Sequence, residues 1–204
     1  MRQRSGIGYP LRPWRYSCAP AADDSICFTD PGYGIFGNYE GHKADPEQPP
    51  RVYRVDGKSG KATIVTDTFD KPNGLAFSPD EKKLYIIDTG LTHGARSKMR
   101  VFDVDIGTGK VTNDKVFAEN FAPEFTDGVR TDIDGNVRCS MGWADPKEDG
   151  VRCYAPSGDL IGKIHLPETC ANLAFGGPKR NRLFVCGSTS VYAVYVETQG
   201  ALLP

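Results

Sequence analysis

Apolar residues in this chain come in short runs separated by clusters of turn-forming polar residues. Residues 71–90, KPNGLAFSPDEKKLYIIDTG, show the pattern most fully. Residues 74–77 form one apolar run, Ser78, Pro79 and Asp80 supply turn chemistry, and residues 84–87 form a second run rich in β-branched and aromatic side chains. The pattern predicts strand, tight turn, strand. Asn73 lies just ahead of the first strand, between Pro72 and Gly74. Its short, oxygen-bearing side chain can close a turn or offer a carbonyl oxygen to a hard cation.

The pattern recurs. Residues 126–140, TDGVRTDIDGNVRCS, place Asp127-Gly128 where Asn73-Gly74 stood. Residues 171–186, ANLAFGGPKRNRLFVC, begin with Asn172, and a partial copy at 23–32, DDSICFTDPG, keeps the turn and second strand. Asn73, Asp127 and Asn172 are 54 and 45 residues apart. Short strands repeating at roughly 40–50 residues predict an all-β chain built as a β-propeller, each blade a four-stranded sheet. The chain has room for about four such blades. Strands at 51–55, 63–67, 99–105, 115–118, 150–154 and 160–166 complete them.

Three polar loops interrupt the strands, at 33–50 with Glu40 and His42, at 91–97 with His93, and at 143–149. They are expected to leave one end of successive blades, and the two histidines read as solvated loop residues. In a propeller the residues just before each innermost strand converge on the central channel, so Asn73, Asp127 and Asn172 are expected to face one another. Oxygens from Asn and Asp ringed about an axis suit Ca²⁺, which takes ~6–8 oxygen ligands in flexible geometry. Capping of three blade turns explains the same residues equally simply.

Composition narrows the class further. With 204 residues, 39% of them hydrophobic, 23 Gly and 15 Pro, the chain suits one turn-rich core. A net charge of −1 without like-charge blocks gives no reason to expect nucleic acid or anionic membrane as a partner. No run approaches the ~18 apolar residues of a membrane span. The six cysteines show no metal spacing and fall mostly on apolar strand positions, as buried thiols in a reducing compartment do, although the even number leaves disulfides open. Residues 1–24 hold four Arg and three Pro but neither an alternating strand nor the apolar core of a signal peptide, which predicts a cytoplasmic protein whose regular sequence, 25–204, begins at Ser25.

The strings FTDPGYGI, YEGHKADPEQPPRVYRVD, KPNGLAFSPDEKKLYIIDTG, DGVRTDIDGNVRCSMGW and CANLAFGGPKRNRLFVCGSTSVY, in this order, resemble the gluconolactonase family, also called the senescence-marker-protein or regucalcin-like family. The resemblance covers about residues 25–197. It implies a six-bladed propeller holding a divalent cation, Ca²⁺ or in some members Zn²⁺, and hydrolysis of a small-molecule sugar lactone. It further implies that Asn73 and Asp127 are metal ligands and that Asp127 also serves catalysis. Asn172, with Asp30 and Tyr33 where the partial copy leaves its strand, would border the substrate.

Two departures qualify this picture. The family's first-blade Glu ligand has no counterpart, and its Pro-Asn-Asp motif should fall near 15–17, where this chain reads Arg-Tyr-Ser. Residues 1–24 are therefore expected to be non-homologous, and the chain to be the C-terminal two-thirds of such a protein. Two rival functions follow: an inactive or regulatory fragment whose open blade edges self-associate, and a phosphotriesterase on the same scaffold.

Overall fold

The computed structural model describes residues 17–39, 41–90, 97–119, 121 and 123–201. Four antiparallel sheets follow one another along the chain. The first contains β1 (Ser17–Pro20), β2 (Ile26–Asp30), β3 (Arg51–Val55) and β4 (Ala62–Thr66), with a one-turn helix α1 (Tyr33–Phe36) in the loop after β2. The second contains β5 (Pro72–Phe77), β6 (Lys83–Asp88), β7 (Lys98–Asp105) and β8 (Lys110–Ala118). The third contains β9 (Phe125–Thr131), β10 (Val137–Gly142), β11 (Gly150–Tyr154) and β12 (Leu160–His165), and the fourth β13 (Cys170–Gly176), β14 (Arg182–Gly187) and β15 (Val191–Tyr195). None of these sheets closes on itself, and strand order within each is sequential, as short turns require.

The second sheet shows why the pattern folds this way. In β6 the continuous run Leu84 to Ile87 presents apolar groups to both faces. Leu84 and Ile86 pack with Cys27 and Val52 of the first sheet, whereas Tyr85 and Ile87 pack with Val129, Cys139 and Met141 of the third. A third cluster joins Val151 and Leu166 to Leu173, Leu183 and Val185. The hydrophobic core is thus three seams between four stacked sheets.

Turn chemistry holds the hairpins. Ser78 Oγ donates to Asp80 Oδ1 at 2.7 Å and accepts from the Lys83 amide at 3.0 Å. The Asp132 carboxylate accepts from the Asp134 and Asn136 amides at 3.1 and 2.9 Å and pairs with Arg138. The chain end returns to the third sheet, where the Ile133 amide donates to the Gln199 carbonyl at 2.9 Å.

Two observations differ from the sequence reading. The first sheet begins before Ser25: Ser17–Pro20 is a strand, with Ala19 opposite Cys27 and its side chain in the first seam. SCAP carries no apolar alternation, so only pairing to β2 reveals it as a strand. Asn73, Asp127 and Asn172 also lie within β5, β9 and β13 rather than ahead of them. Residues 1–16, Glu40 and His93 lie outside the described residues, and His42 is exposed.

Cys27, Cys139 and Cys170 are buried free thiols, and burial pushes each up to about 12, whereas Cys186 is free and exposed. Because the thiolate is the reactive form, native-state alkylation at pH 8 followed by peptide mapping is expected to modify Cys186 within minutes. The three buried cysteines should react only in denaturant. Their native-state modification at the Cys186 rate would contradict the seams described here.

Candidate active site

The three innermost strands β5, β9 and β13 each carry an irregularity at the residue of interest. In β5, Pro72 pairs with Asp88 and Leu75 with Ile86, so Asn73 and Gly74 together oppose Ile87. In β9, Thr126 pairs with Met141 and Val129 with Cys139, so Asp127 and Gly128 together oppose Ser140. A bulge of this kind leaves one residue unpaired and re-aims its side chain. In β13 the extra residue is Ala171, next to Asn172. The repeated Asx-Gly dipeptide is the sequence trace of two of these bulges.

The glycines set how closely the strands approach. A Cβ on Gly74 would stand 2.0 Å from the Asp127 carbonyl oxygen, and one on Gly128 would stand 2.3 Å from Asn172 Oδ1. Bare backbone at these positions lets each inner strand close on the next, and brings Asn73, Asp127 and Asn172 onto adjoining strands at one level. The Gly128 amide donates to Ser140 Oγ at 2.8 Å, and Ser140 donates onward to the Ala171 carbonyl at 3.0 Å, fastening β9 and β10 to β13.

Asn73 is buried, at 4% exposure. Its Nδ2 donates to Thr89 Oγ1 at 3.0 Å, and Thr89 donates to the Thr126 carbonyl at 3.4 Å. Its Oδ1, by contrast, is a buried acceptor without a hydrogen-bond partner among the described residues. An unsatisfied buried acceptor costs about 1–3 kcal/mol and calls for a reason. Backbone amides of Asp70 and Lys71 donate to the buried Asp88 carboxylate at 3.2 and 2.9 Å, which fixes the approach to β5.

Tyr33, from α1, lies close to the same Thr89 hydroxyl. Burial, and then the charges of Asp127, Asp88 and Asp70, push its phenol up to about 12. Tyr33 thus stands near Thr89, the partner of Asn73, and in the field of Asp127. Asn172 is half-buried, its Oδ1 accepting from the Leu173 amide at 2.8 Å. Asp30 closes β2 opposite Arg51, its carboxyl raised above the usual range by burial, and among the described residues no hydrogen bond joins it to the other four. Thr89 escaped the sequence reading because a Thr after a strand looks like ordinary turn chemistry.

A divalent cation would find a partly built donor set. The unsatisfied Asn73 Oδ1 and the Asp127 carboxylate are hard oxygen donors of the kind Ca²⁺ takes. Among the described residues no three His, Cys, Asp or Glu side chains form a metal-binding group, so amide and backbone oxygens would have to complete the shell.

The second strands β2, β6, β10 and β14 all end on the side of these residues, so these strand ends share one rim. Among the described residues no helix is long and apolar enough to cross a membrane.

Comparison with known proteins bears on the site. Residues 23–189 match the model of the SMP-30/Gluconolactonase/LRE-like region. A lactonohydrolase of Aspergillus oryzae is 26% identical over 204 residues, an alignment covering 89% of this chain and 41% of the relative. The gluconolactonase of Zymomonas mobilis is 26% identical over 186 residues, covering 86% and 48%. A solved gluconolactonase from Xanthomonas campestris superposes with a TM-score of 0.75 at 30% identity, covering 87% of this chain and 55% of its own. A calcium-binding protein, regucalcin, from Agrobacterium tumefaciens shares the fold with a TM-score of 0.71 at 21% identity, covering 92% and 62%. The chain spans about half the length of the curated relatives it matches.

Proposed function

The chain belongs to the SMP-30/gluconolactonase/LRE-like family, and on that premise we propose that it hydrolyses a sugar lactone at the level of Asn73 and Asp127. The observation that carries this reading is the pair of β-bulges that re-aim these two residues on adjoining inner strands. Asn73 Oδ1 and the Asp127 carboxylate would hold a divalent cation, Ca²⁺ by the hardness of the donors and Zn²⁺ as the alternative. When bound, the cation supplies Lewis acidity toward the lactone carbonyl.

The remaining steps belong to the chain. Asp127 takes a proton from the water that adds to the carbonyl carbon. The ring C–O bond then breaks, the ring oxygen takes up a proton, and the product is an open hydroxy acid. Tyr33, a protonated phenol at neutral pH, and Asn172 border the substrate, with Asp30 farther out on the same rim. The full blade number of the closed ring is six in this reading, and four sheets are described here.

The test is release of acid from glucono-1,5-lactone by the purified chain, followed in a pH-stat with Ca²⁺ and after chelation, with thermal melts in parallel. Ca²⁺ is expected to raise the melting temperature and the rate together. Asn73→Leu, which keeps the volume and removes the free oxygen, should abolish the Ca²⁺-dependent melting shift. A Ca²⁺ shift undiminished in Asn73→Leu would remove Asn73 from the donor set.

A further inference from the structure

Trp143 is held in a backbone conformation that side-chain-bearing residues rarely adopt, with φ at 76°, and the residue is nevertheless 49% exposed. Exposure of a single aromatic needs no explanation by itself. The strain does, because it persists only where surrounding structure imposes it. Here two buried carboxylates hold its surroundings, Glu124 the backbone that follows it and Asp149 the threonine beside it. Glu124, at 1% exposure, accepts from the Asp145 amide at 2.6 Å and the Ala144 amide at 3.3 Å. Asp149, also buried, accepts from Thr169 Oγ1 at 3.4 Å, and Thr169 accepts from the Trp143 amide at 3.4 Å. Gly142 passes so close beneath Thr169 that a Cβ would stand 2.6 Å from its Cγ2.

None of these contacts buries the indole. A loop anchored at both sides and strained at its one large apolar residue serves to present that residue. It does so on the rim described above: Gly142 pairs with Phe125, two residues from Asp127 along β9.

We propose that Trp143 is a substrate-contacting residue, its ring a platform for the C–H face of the sugar lactone, setting affinity and not the chemical step. This inference rests on the lactonase reading and names the recognition element of the same site. A pyranose-type ring has one face of axial C–H bonds that packs on an aromatic ring, while its hydroxyls remain free for polar partners. An aromatic contact of this size is worth roughly a three- to tenfold difference in affinity. Glu124 and Asp149 act as positioning residues.

The test is steady-state hydrolysis of glucono-1,5-lactone by Trp143→Ala, Trp143→Phe and Trp143→Gly, with thermal melts. KM is expected to rise at least roughly threefold in the Ala and Gly variants with kcat within about twofold, and Phe to restore most of the affinity. Trp143→Gly is also expected to melt at or above the wild-type temperature, since glycine adopts this φ without strain. A purely structural Trp143 would lower the melting temperature and leave KM alone. Unchanged KM in Trp143→Ala overturns the proposal. If the wild type hydrolyses no lactone, the lactonase reading fails separately. Gluconate titration of Trp14→Phe, which leaves Trp143 as the one indole, then decides: saturable quenching upholds the platform and flat emission overturns it.

Discussion

Asp127→Ala should lower kcat/KM for lactone hydrolysis by a factor of about 10³ or more, with the melting temperature within about 3 °C of wild type. Two losses combine in that figure. The substitution removes the only carboxylate among the residues set on the inner-strand bulges, and with it both the charge that balances a divalent cation and the group that accepts the water's proton. Stability should hold because the side chain is half-buried and lies outside the three apolar seams. Asp127→Asn sharpens the result, since it keeps the shape and one oxygen donor but cannot take a proton at neutral pH. Both variants are expected to be inactive, with Asn retaining more of the Ca²⁺-induced melting shift. A folded Asp127→Ala variant with wild-type turnover would remove Asp127 from the mechanism.

Gly74→Ala is expected to destabilise the fold by about 3 kcal/mol, a large effect for one methyl group. The added Cβ would meet the Asp127 carbonyl oxygen at 2.0 Å, and the obstacle is backbone, which cannot rotate aside as a side chain could. Relief requires β5 and β9 to separate at the level where Asn73 and Asp127 adjoin, so activity should fall with stability. Gly37→Ala is the control, because a Cβ there has no atom within 4 Å. Urea denaturation by circular dichroism reads both: the Gly74→Ala midpoint should fall well below wild type and the Gly37→Ala midpoint should stay. Equal midpoints would show that the inner strands are not in contact as described.

The hairpins were legible from local chemistry. The alternation of apolar run and turn cluster located β5, β6, β10, β13 and β14, because a strand's side-chain period of two and the demands of a tight turn act over a few residues. That the run Leu84 to Ile87 is covered on both faces came from the packing of the neighbouring sheets. The Asx-Gly repeat marked the positions of two bulges while misplacing them outside the strands, since a bulge shows itself only in the register against a partner strand. Ser17–Pro20 was missed for the same reason: its membership depends on pairing to β2 and not on its own composition.

The all-β class, the sheet repeat and the family were legible in the sequence, because each is carried by short strings of residues whose pattern does not depend on how the sheets pack. Tertiary structure alone shows which groups adjoin the proposed site. The Thr89 hydroxyl that joins Asn73 to the Thr126 carbonyl, and the Thr169 hydroxyl that joins the Trp143 amide to the Asp149 carboxylate, each connect groups from different sheets. Such contacts depend on how closely one sheet packs on the next, and that spacing is set by glycines whose effect is visible only against the backbone they meet.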